Sequence, residues 1–139
     1  MDKIPLPTPA APLLPHKPPM AMIDTLLVND GVHRQTSFTV RPDNRFLNGE
    51  GILDPTVIPE LVAQAAAAAE THSNDGKITP GSFALARDIR IQRPLRVHDE
   101  VIITATDYSP MDNWFVINFS MALADGTPCA TGEISVCKF

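Results

Sequence analysis

One stretch, residues 53–72, constrains the fold of this 139-residue chain more than any other, and it reads LDPTVIPELVAQAAAAAETH. Its middle part, residues 61–69, contains no helix breaker and consists almost wholly of strong helix formers. Asp54 or Thr56 can cap the start, and the Asn-Asp-Gly run at 74–76 ends the pattern. The stretch therefore predicts one long helix.

Five consecutive alanines at 65–69 give this helix apolar character around most of its circumference without bulk. We expect such a helix where a sheet closes in from more than one side. Glu60 and Gln64 are four residues apart and share one face of the first turns. Because Glu60 is one residue too far from Thr56 for a capping box, its carboxylate is available for chemistry. The alternative is an acid that only complements the helix dipole.

Strand patterns lie on both sides of the helix and are separated by turn signals. Two of them flank Asn-Asp-Gly at 29–31 and predict a hairpin. The remaining strands follow the helix, so the chain is predicted to be α+β, with an antiparallel sheet wrapped around one long central helix. The predicted strands cover residues 20–28, 32–40, 82–92, 101–108, 114–123 and 129–139.

Seven of the fourteen prolines fall within residues 1–19, which predicts an extended segment rather than a helix. We divide the chain into a proline-rich extended lead-in, residues 1–12, and a single domain, residues 13–139. A chain of this length is sufficient for one hydrophobic core.

The net charge of −5 argues against nucleic acid as a partner, since phosphate binding needs a concentrated positive field. We find no leader pattern and no apolar run of about 20 residues, so we expect a soluble, cytoplasmic protein with no membrane contact. Cys129 and Cys137 are too far apart on one predicted strand to form a disulfide, and free thiols suit a reducing compartment. No histidine pair stands near them, so we predict no metal site and no cofactor.

Three motifs of this chain, at residues 14–24, 60–64 and 91–99, resemble those of hotdog-fold β-hydroxyacyl-acyl-carrier-protein dehydratases. Residues 14–24, Leu-Pro-His-Lys-Pro-Pro-Met-Ala-Met-Ile-Asp, resemble the family's opening L-P-H-x-x-P-M/F-x-x-x-D. Residues 60–64, Glu-Leu-Val-Ala-Gln, resemble its helical E-x-x-A-Q, and residues 91–99 resemble its F-x-R-P-V…G-D strand end. Their order and spacing agree from about residue 12 to 139, and the resemblance implies a hotdog fold.

A further segment, Val40–Phe46, resembles the V-R-P-D-x-x-F of a dehydratase-like subgroup associated with aryl-polyene and related fatty-acid-like pathways. The main dehydratase family carries a catalytic histidine in a G-H-F-P-G segment before the helix. The matching region here, Asn-Gly-Glu-Gly at 48–51, has no histidine. The usual general base is therefore missing from its usual place.

Dehydration of a β-hydroxyacyl thioester needs a general base, a general acid and donors for the thioester oxygen. The resemblance implies that Glu60 is the acid, because burial at the start of an apolar helix favours a protonated carboxyl. His16, inside the first motif, can supply the base, or else it only fixes the lead-in through backbone hydrogen bonds. Gln64 orients Glu60. Free N–H groups of Thr56, Val57 and Ile58 can hold the thioester oxygen.

Four arginines lie within ten residues of this acidic chain, and they give a local positive field for a phosphopantetheine arm or an acidic carrier protein. A charge-guarded edge strand is the competing interpretation. The four are Arg87, Arg90, Arg93 and Arg96.

We predict a hydro-lyase that acts on an acyl thioester carried by acyl carrier protein, or by coenzyme A, and works as a homodimer or larger assembly. Two alternatives stay open. A hotdog thioesterase activates water with a helix carboxylate and needs no histidine, and a non-catalytic acyl-binding subunit would pair with an active dehydratase.

Overall fold

A computed structural model describes residues 4–15, 17, 20–78, 81–111 and 114–138 of the chain. One α-helix and seven strands form its described part, and this confirms the predicted α+β architecture. The strands are β1 (Thr8–Pro9), β2 (Thr25–Asn29), β3 (Arg34–Thr39), β4 (Gly81–Ile91), β5 (Glu100–Met111), β6 (Trp114–Leu123) and β7 (Pro128–Lys138), and the helix is α1 (Ile58–Ser73).

The sheet is antiparallel throughout, with the strand order β1-β2-β3-β5-β6-β7-β4. β2 and β3 form the predicted hairpin, with shorter strands than the sequence indicated. The chain segment that contains α1 connects β3 to β4 past β5, β6 and β7, so β4 becomes an outer strand. Its exposed side chains include Leu85 and Ile91.

The helix buries most of its circumference, as its small side chains predicted. Leu61, Ala68 and Ala69 are fully buried, and they join one core with side chains of β3 and β5 to β7. The α-helix begins only at Ile58, later than the sequence indicated, because Pro55–Val57 forms a separate 3₁₀ turn. The described chain contains no helix that is both long and apolar enough to cross a membrane.

The lead-in is not simply extended over the surface, as the sequence had predicted. β1 pairs with β2, and Ala10 N–H donates to the carbonyl of Asp24 at 2.9 Å. Residues 11–13 form a 3₁₀ turn, and Leu13 and Leu14 are buried against the core. Proline restricts φ to values that a 3₁₀ turn accepts, so Pro12 is compatible with this turn. The division of the chain at residue 12 stays a prediction.

Candidate functional site

The site begins with two side chains on the first turns of α1. Gln64 Nε2 donates to Glu60 Oε1 at 3.1 Å, so the predicted contact between positions four apart is present. Glu60 is half-buried, whereas Gln64 is completely buried. The buried amide thus fixes a carboxylate that retains access to the surface.

Gln64 also holds a segment that is distant in sequence. Its Nε2 donates to the carbonyl of Met20 at 2.6 Å, and its Oε1 accepts from Met22 N–H at 2.9 Å. Every one of these bonds is buried or partly buried, where an unsatisfied partner is costly. One side chain therefore fixes both the acid and the end of the first sequence motif.

The candidate base, His16, lies outside the described residues. Its neighbour Lys17 is described, and the carbonyl of Lys17 accepts from Met20 N–H at 3.0 Å and from Ala21 N–H at 3.1 Å. These two bonds place the carbonyl of Lys17 beside the Met20–Met22 segment that Gln64 binds.

The N–H groups predicted as free donors are engaged within the chain. Thr56 N–H donates to Asp54 Oδ1 at 3.0 Å, and Val57 N–H donates to the carbonyl of Asp54 at 3.0 Å. Ile58 N–H bonds the carbonyl of Pro55. The prediction of free donors at Thr56, Val57 and Ile58 is therefore corrected, because the Asp54 cap and the 3₁₀ turn use all three.

The loop that replaces the family's histidine segment is a tight turn organised by Asn48. Asn48 Oδ1 accepts from Glu50 N–H at 2.8 Å and from Ile52 N–H at 3.0 Å. Glu50 itself is exposed. This loop offers a carboxylate at the surface and no imidazole.

An apolar groove of about 210 Å³, which the sequence did not reveal, lies beside the start of the helix. It forms where the pre-helix loop meets the end of β4 and the loop that follows. Arg93 is the one charged residue among its lining residues. The wall consists of Ile52, Leu53, Pro55, Ile58, Ile91, Arg93, Pro94 and Leu95.

A protein-family model, described as ApeP dehydratase of the ApeP-like family, matches residues 8–139. The chain belongs to the ApeP-like dehydratase family. The predicted resemblance is confirmed, and the matched region includes β1 of the lead-in as well as the helix and the groove. No curated protein matches the sequence at a significant level.

Solved structures similar to this ApeP-like chain include the dehydratase heterocomplex ApeI:P from Xenorhabdus doucetiae, with 20% identity, 95% of this chain and 91% of that chain covered, and a TM-score of 0.85. A Streptococcus mutans protein bound to acetyl CoA has 13% identity, with 91% of this chain and 95% of that chain covered, and a TM-score of 0.68. A mutant thioesterase from Pseudomonas aeruginosa has 17% identity, with 84% of this chain and 80% of that chain covered, and a TM-score of 0.64. Likenesses at these identities show the fold alone, and the predicted hotdog fold is confirmed.

The four arginines that the sequence grouped in this ApeP-like chain differ in their surroundings. Arg93 is paired with Asp99, whose Oδ2 accepts from Arg93 Nη1 at 2.7 Å, and this hydrogen bond raises the pKa of the guanidinium. Arg87 is exposed and lies 3.9 Å from Glu133, a weak contact. Arg90 and Arg96 are exposed. Arg93 is therefore the member of this group that is bound to a nearby carboxylate, and the carrier-binding role of the four arginines stays a prediction.

His72, near the end of α1, makes contacts that the sequence did not predict. It is 4% exposed, and its Nε2 lies 2.8 Å from the carbonyl of Ile4 while its Nδ1 lies 2.9 Å from Asn29 Nδ2. A ring with its hydrogen on Nε2 satisfies both contacts. His72 thus joins the lead-in and the β2 hairpin to the helix.

Proposed function

We propose that this chain dehydrates a β-hydroxyacyl thioester, with Glu60 as the general acid. The observation that carries the proposal is the fixed carboxylate, held by buried Gln64 on a half-buried face of the helix. In the reaction the α hydrogen leaves as a proton, the β hydroxyl departs with a proton from the acid as water, and a double bond forms between the two carbons. A positioned carboxyl that donates this proton contributes roughly 10²- to 10⁴-fold.

His16 is the proposed base for the α proton. Support comes from Gln64, which binds the backbone of Met20 and Met22 a few residues beyond His16 while it binds Glu60. The same amide therefore links the helix acid to the motif that contains the only candidate imidazole. The N–H groups of residues 56–58 are left out of the proposed oxyanion site, because the chain already uses them.

We further propose that β4 pairs with a second hotdog subunit. The other edge of the sheet ends in the two-residue β1, whereas β4 is an edge strand of eleven residues that exposes Leu85 and Ile91. An uncovered strand of this length is a template for pairing with another chain. A second copy would give the predicted homodimer. The similar ApeI:P structure is a heterocomplex, so a different hotdog subunit is the other form of the proposal.

Acyl carrier protein is the proposed carrier, with coenzyme A as the alternative. Support comes from Arg90 and Arg96, two exposed cations in a chain of net charge −5. An acidic carrier would be attracted to that side by a salt-dependent field. A cytoplasmic location is part of this proposal, and the free thiols of Cys129 and Cys137 are consistent with it.

One assay separates the candidate functions. The chain is incubated with β-hydroxyacyl and with saturated acyl thioesters on acyl carrier protein and on coenzyme A, alone and with a co-expressed hotdog partner. An enoyl product supports the dehydratase. Free thiol from the saturated substrate supports the thioesterase, which the histidine-free loop at 48–51 favours. Neither product in any arm supports a non-catalytic acyl-binding subunit.

A further inference from the structure

The groove beside the start of the helix has an apolar wall, and its one charged side chain is neutralised within the chain. Arg93 Nη1 donates to Asp99 Oδ2 at 2.7 Å and to the carbonyl of Pro94 at 2.8 Å. The side chain of Asp99 is only 15% exposed, so this pair is partly shielded from solvent. A ligand in the groove therefore meets hydrocarbon and a neutral ion pair.

Asp99 is itself fixed by two hydrogen bonds from the backbone. Its Oδ2 accepts from Arg96 N–H at 2.8 Å, and its carbonyl accepts from Val40 N–H at 2.9 Å. The backbone thus holds the acid beside Arg93 through bonds that do not involve the guanidinium. It fixes both the position and the effective charge of the guanidinium.

We propose that this groove binds the uncharged hydrocarbon tail of the acyl substrate, and that Asp99 determines its specificity by neutralising Arg93. The inference rests on the proposed function for the identity of the ligand. The groove volume of about 210 Å³ is smaller than the roughly 300 Å³ of sites for drug-sized ligands. It therefore suits a short hydrocarbon chain such as a hexanoyl group.

The proposal makes a prediction about charge. With Asp99 present, a tail that ends in a carboxylate has no unpaired cation to bind in the groove. Its carboxylate also loses its hydration when it enters this apolar site, which is unfavourable. Without the acid, Arg93 keeps its bond to the carbonyl of Pro94 and the weaker field of Asp125, so its planar guanidinium is open to a carboxylate of the ligand. Asp99→Asn keeps an oxygen for the N–H of Arg96 and removes the charge.

The test measures binding rather than turnover. Probes are the amide analogues of hexanoyl-N-acetylcysteamine and of its relative with a terminal carboxylate, titrated calorimetrically into the full chain. Because the amides cannot be dehydrated or hydrolysed, a failure of the proposed reaction does not affect the result. Wild type should bind the hexanoyl probe at least tenfold more tightly than the carboxylate probe, and the ratio of these two affinities is the quantity compared among the variants. Asp99→Asn should reduce that ratio at least tenfold, and Arg93→Met added to it should restore the ratio.

Three further variants test whether the probes bind in the groove and not at another place on the chain. Ile52→Lys places an unpaired cation on the groove wall without touching Asp99, and it should also favour the carboxylate probe. Ile91→Trp should fill the groove and weaken the hexanoyl probe at least tenfold, while Val32→Trp, at a 65% exposed turn residue, should not. Circular dichroism and sedimentation confirm folding and assembly of each variant.

The role of Asp99 is overturned if Asp99→Asn keeps the wild-type ratio within twofold, and the assignment of the groove is overturned if Ile52→Lys does so. It is equally overturned if Ile91→Trp binds the hexanoyl probe as tightly as Val32→Trp does.

Discussion

Gln64 Nε2 lies 3.1 Å from Glu60 Oε1, and this bond joins the candidate acid to a fully buried amide. A half-buried carboxylate without such a partner would sample several rotamers at the surface. Here its position depends on a side chain that is itself fixed by the backbone of Met20 and Met22. Changes at Gln64 should therefore affect both the stability of the fold and the reaction.

Gln64→Leu should lower the free energy of unfolding by at least about 2 kcal/mol, since each buried polar group left unsatisfied costs about 1–3 kcal/mol. Urea denaturation measures this change in the free energy of unfolding. The matched control is Gln35→Leu, because Gln35 is half-buried and its amide makes one long bond, 3.4 Å to Thr104 Oγ1. That control should stay within about 0.5 kcal/mol of wild type. Equal losses in the two variants would contradict the role given to Gln64.

Gly132→Ala should destabilise the sheet by about 1–3 kcal/mol through overpacking. A Cβ at this position would lie 2.5 Å from Ile89 Cδ1 and 3.0 Å from Phe119 Cε1, and the ring of Phe119 is buried. Gly49→Ala is the control, because a Cβ there meets nothing within 4 Å. Thermal unfolding of both variants checks the prediction, and a stable Gly132→Ala variant would show that β4 and β7 are packed less closely.

The Asp54 cap of the 3₁₀ turn at Pro55–Val57 predicts a pH dependence. Hydrogen bonds from the backbone N–H and then the hydroxyl of Thr56 lower the pKa of the Asp54 carboxyl. A lowered folded-state pKa adds stability that is present above the unfolded value of about 3.9 and is lost as pH falls through the folded value. Asp54→Asn should therefore be less stable than wild type at pH 7, and the difference should shrink below about pH 4. Melting temperatures between pH 3 and 7 measure this, and a constant difference would contradict it.

Much of the fold could be predicted from local sequence, and most of the site could not. The alanine run at 65–69 and the spacing of Glu60 and Gln64 are local features, so the helix and its acid–amide pair followed from them. The bond from Gln64 to Met22 joins residues 42 positions apart, and no periodicity indicates such a contact. Capping also competes with ligand binding for the same N–H groups, and the sequence alone does not show that Asp54 prevails.

The lead-in and the groove were missed for the same reason. Prolines predict extended backbone, but the pairing of β1 with β2 and the contact of Ile4 with His72 depend on surfaces that exist only after folding. The groove combines a pre-helix loop with residues 91–95, which meet only when the sheet closes. The sequence shows four arginines, whereas the folded chain pairs Arg93 with Asp99.

His16→Asn should lower the rate of enoyl formation by roughly 10²-fold or more if His16 is the base. Because acid and base act on one transition state, His16→Asn combined with Glu60→Gln should be little worse than the worse single variant. His33→Asn is the control, since that side chain is 65% exposed on the hairpin and should retain full activity. Multiplying losses in the double variant would indicate independent roles, and a fully active His16→Asn would place the base elsewhere.

The most direct test of the account is the rate of enoyl formation from a β-hydroxyacyl-carrier thioester by Glu60→Gln, with folding checked by urea denaturation. Glutamine keeps the shape and can still bond Gln64, but it has no carboxyl proton to donate. The account predicts a folded protein, within about 1 kcal/mol of wild-type stability, whose turnover falls by roughly 10²-fold or more. A variant that retains wild-type turnover, or one that fails to fold, would contradict the assignment of Glu60 as the acid.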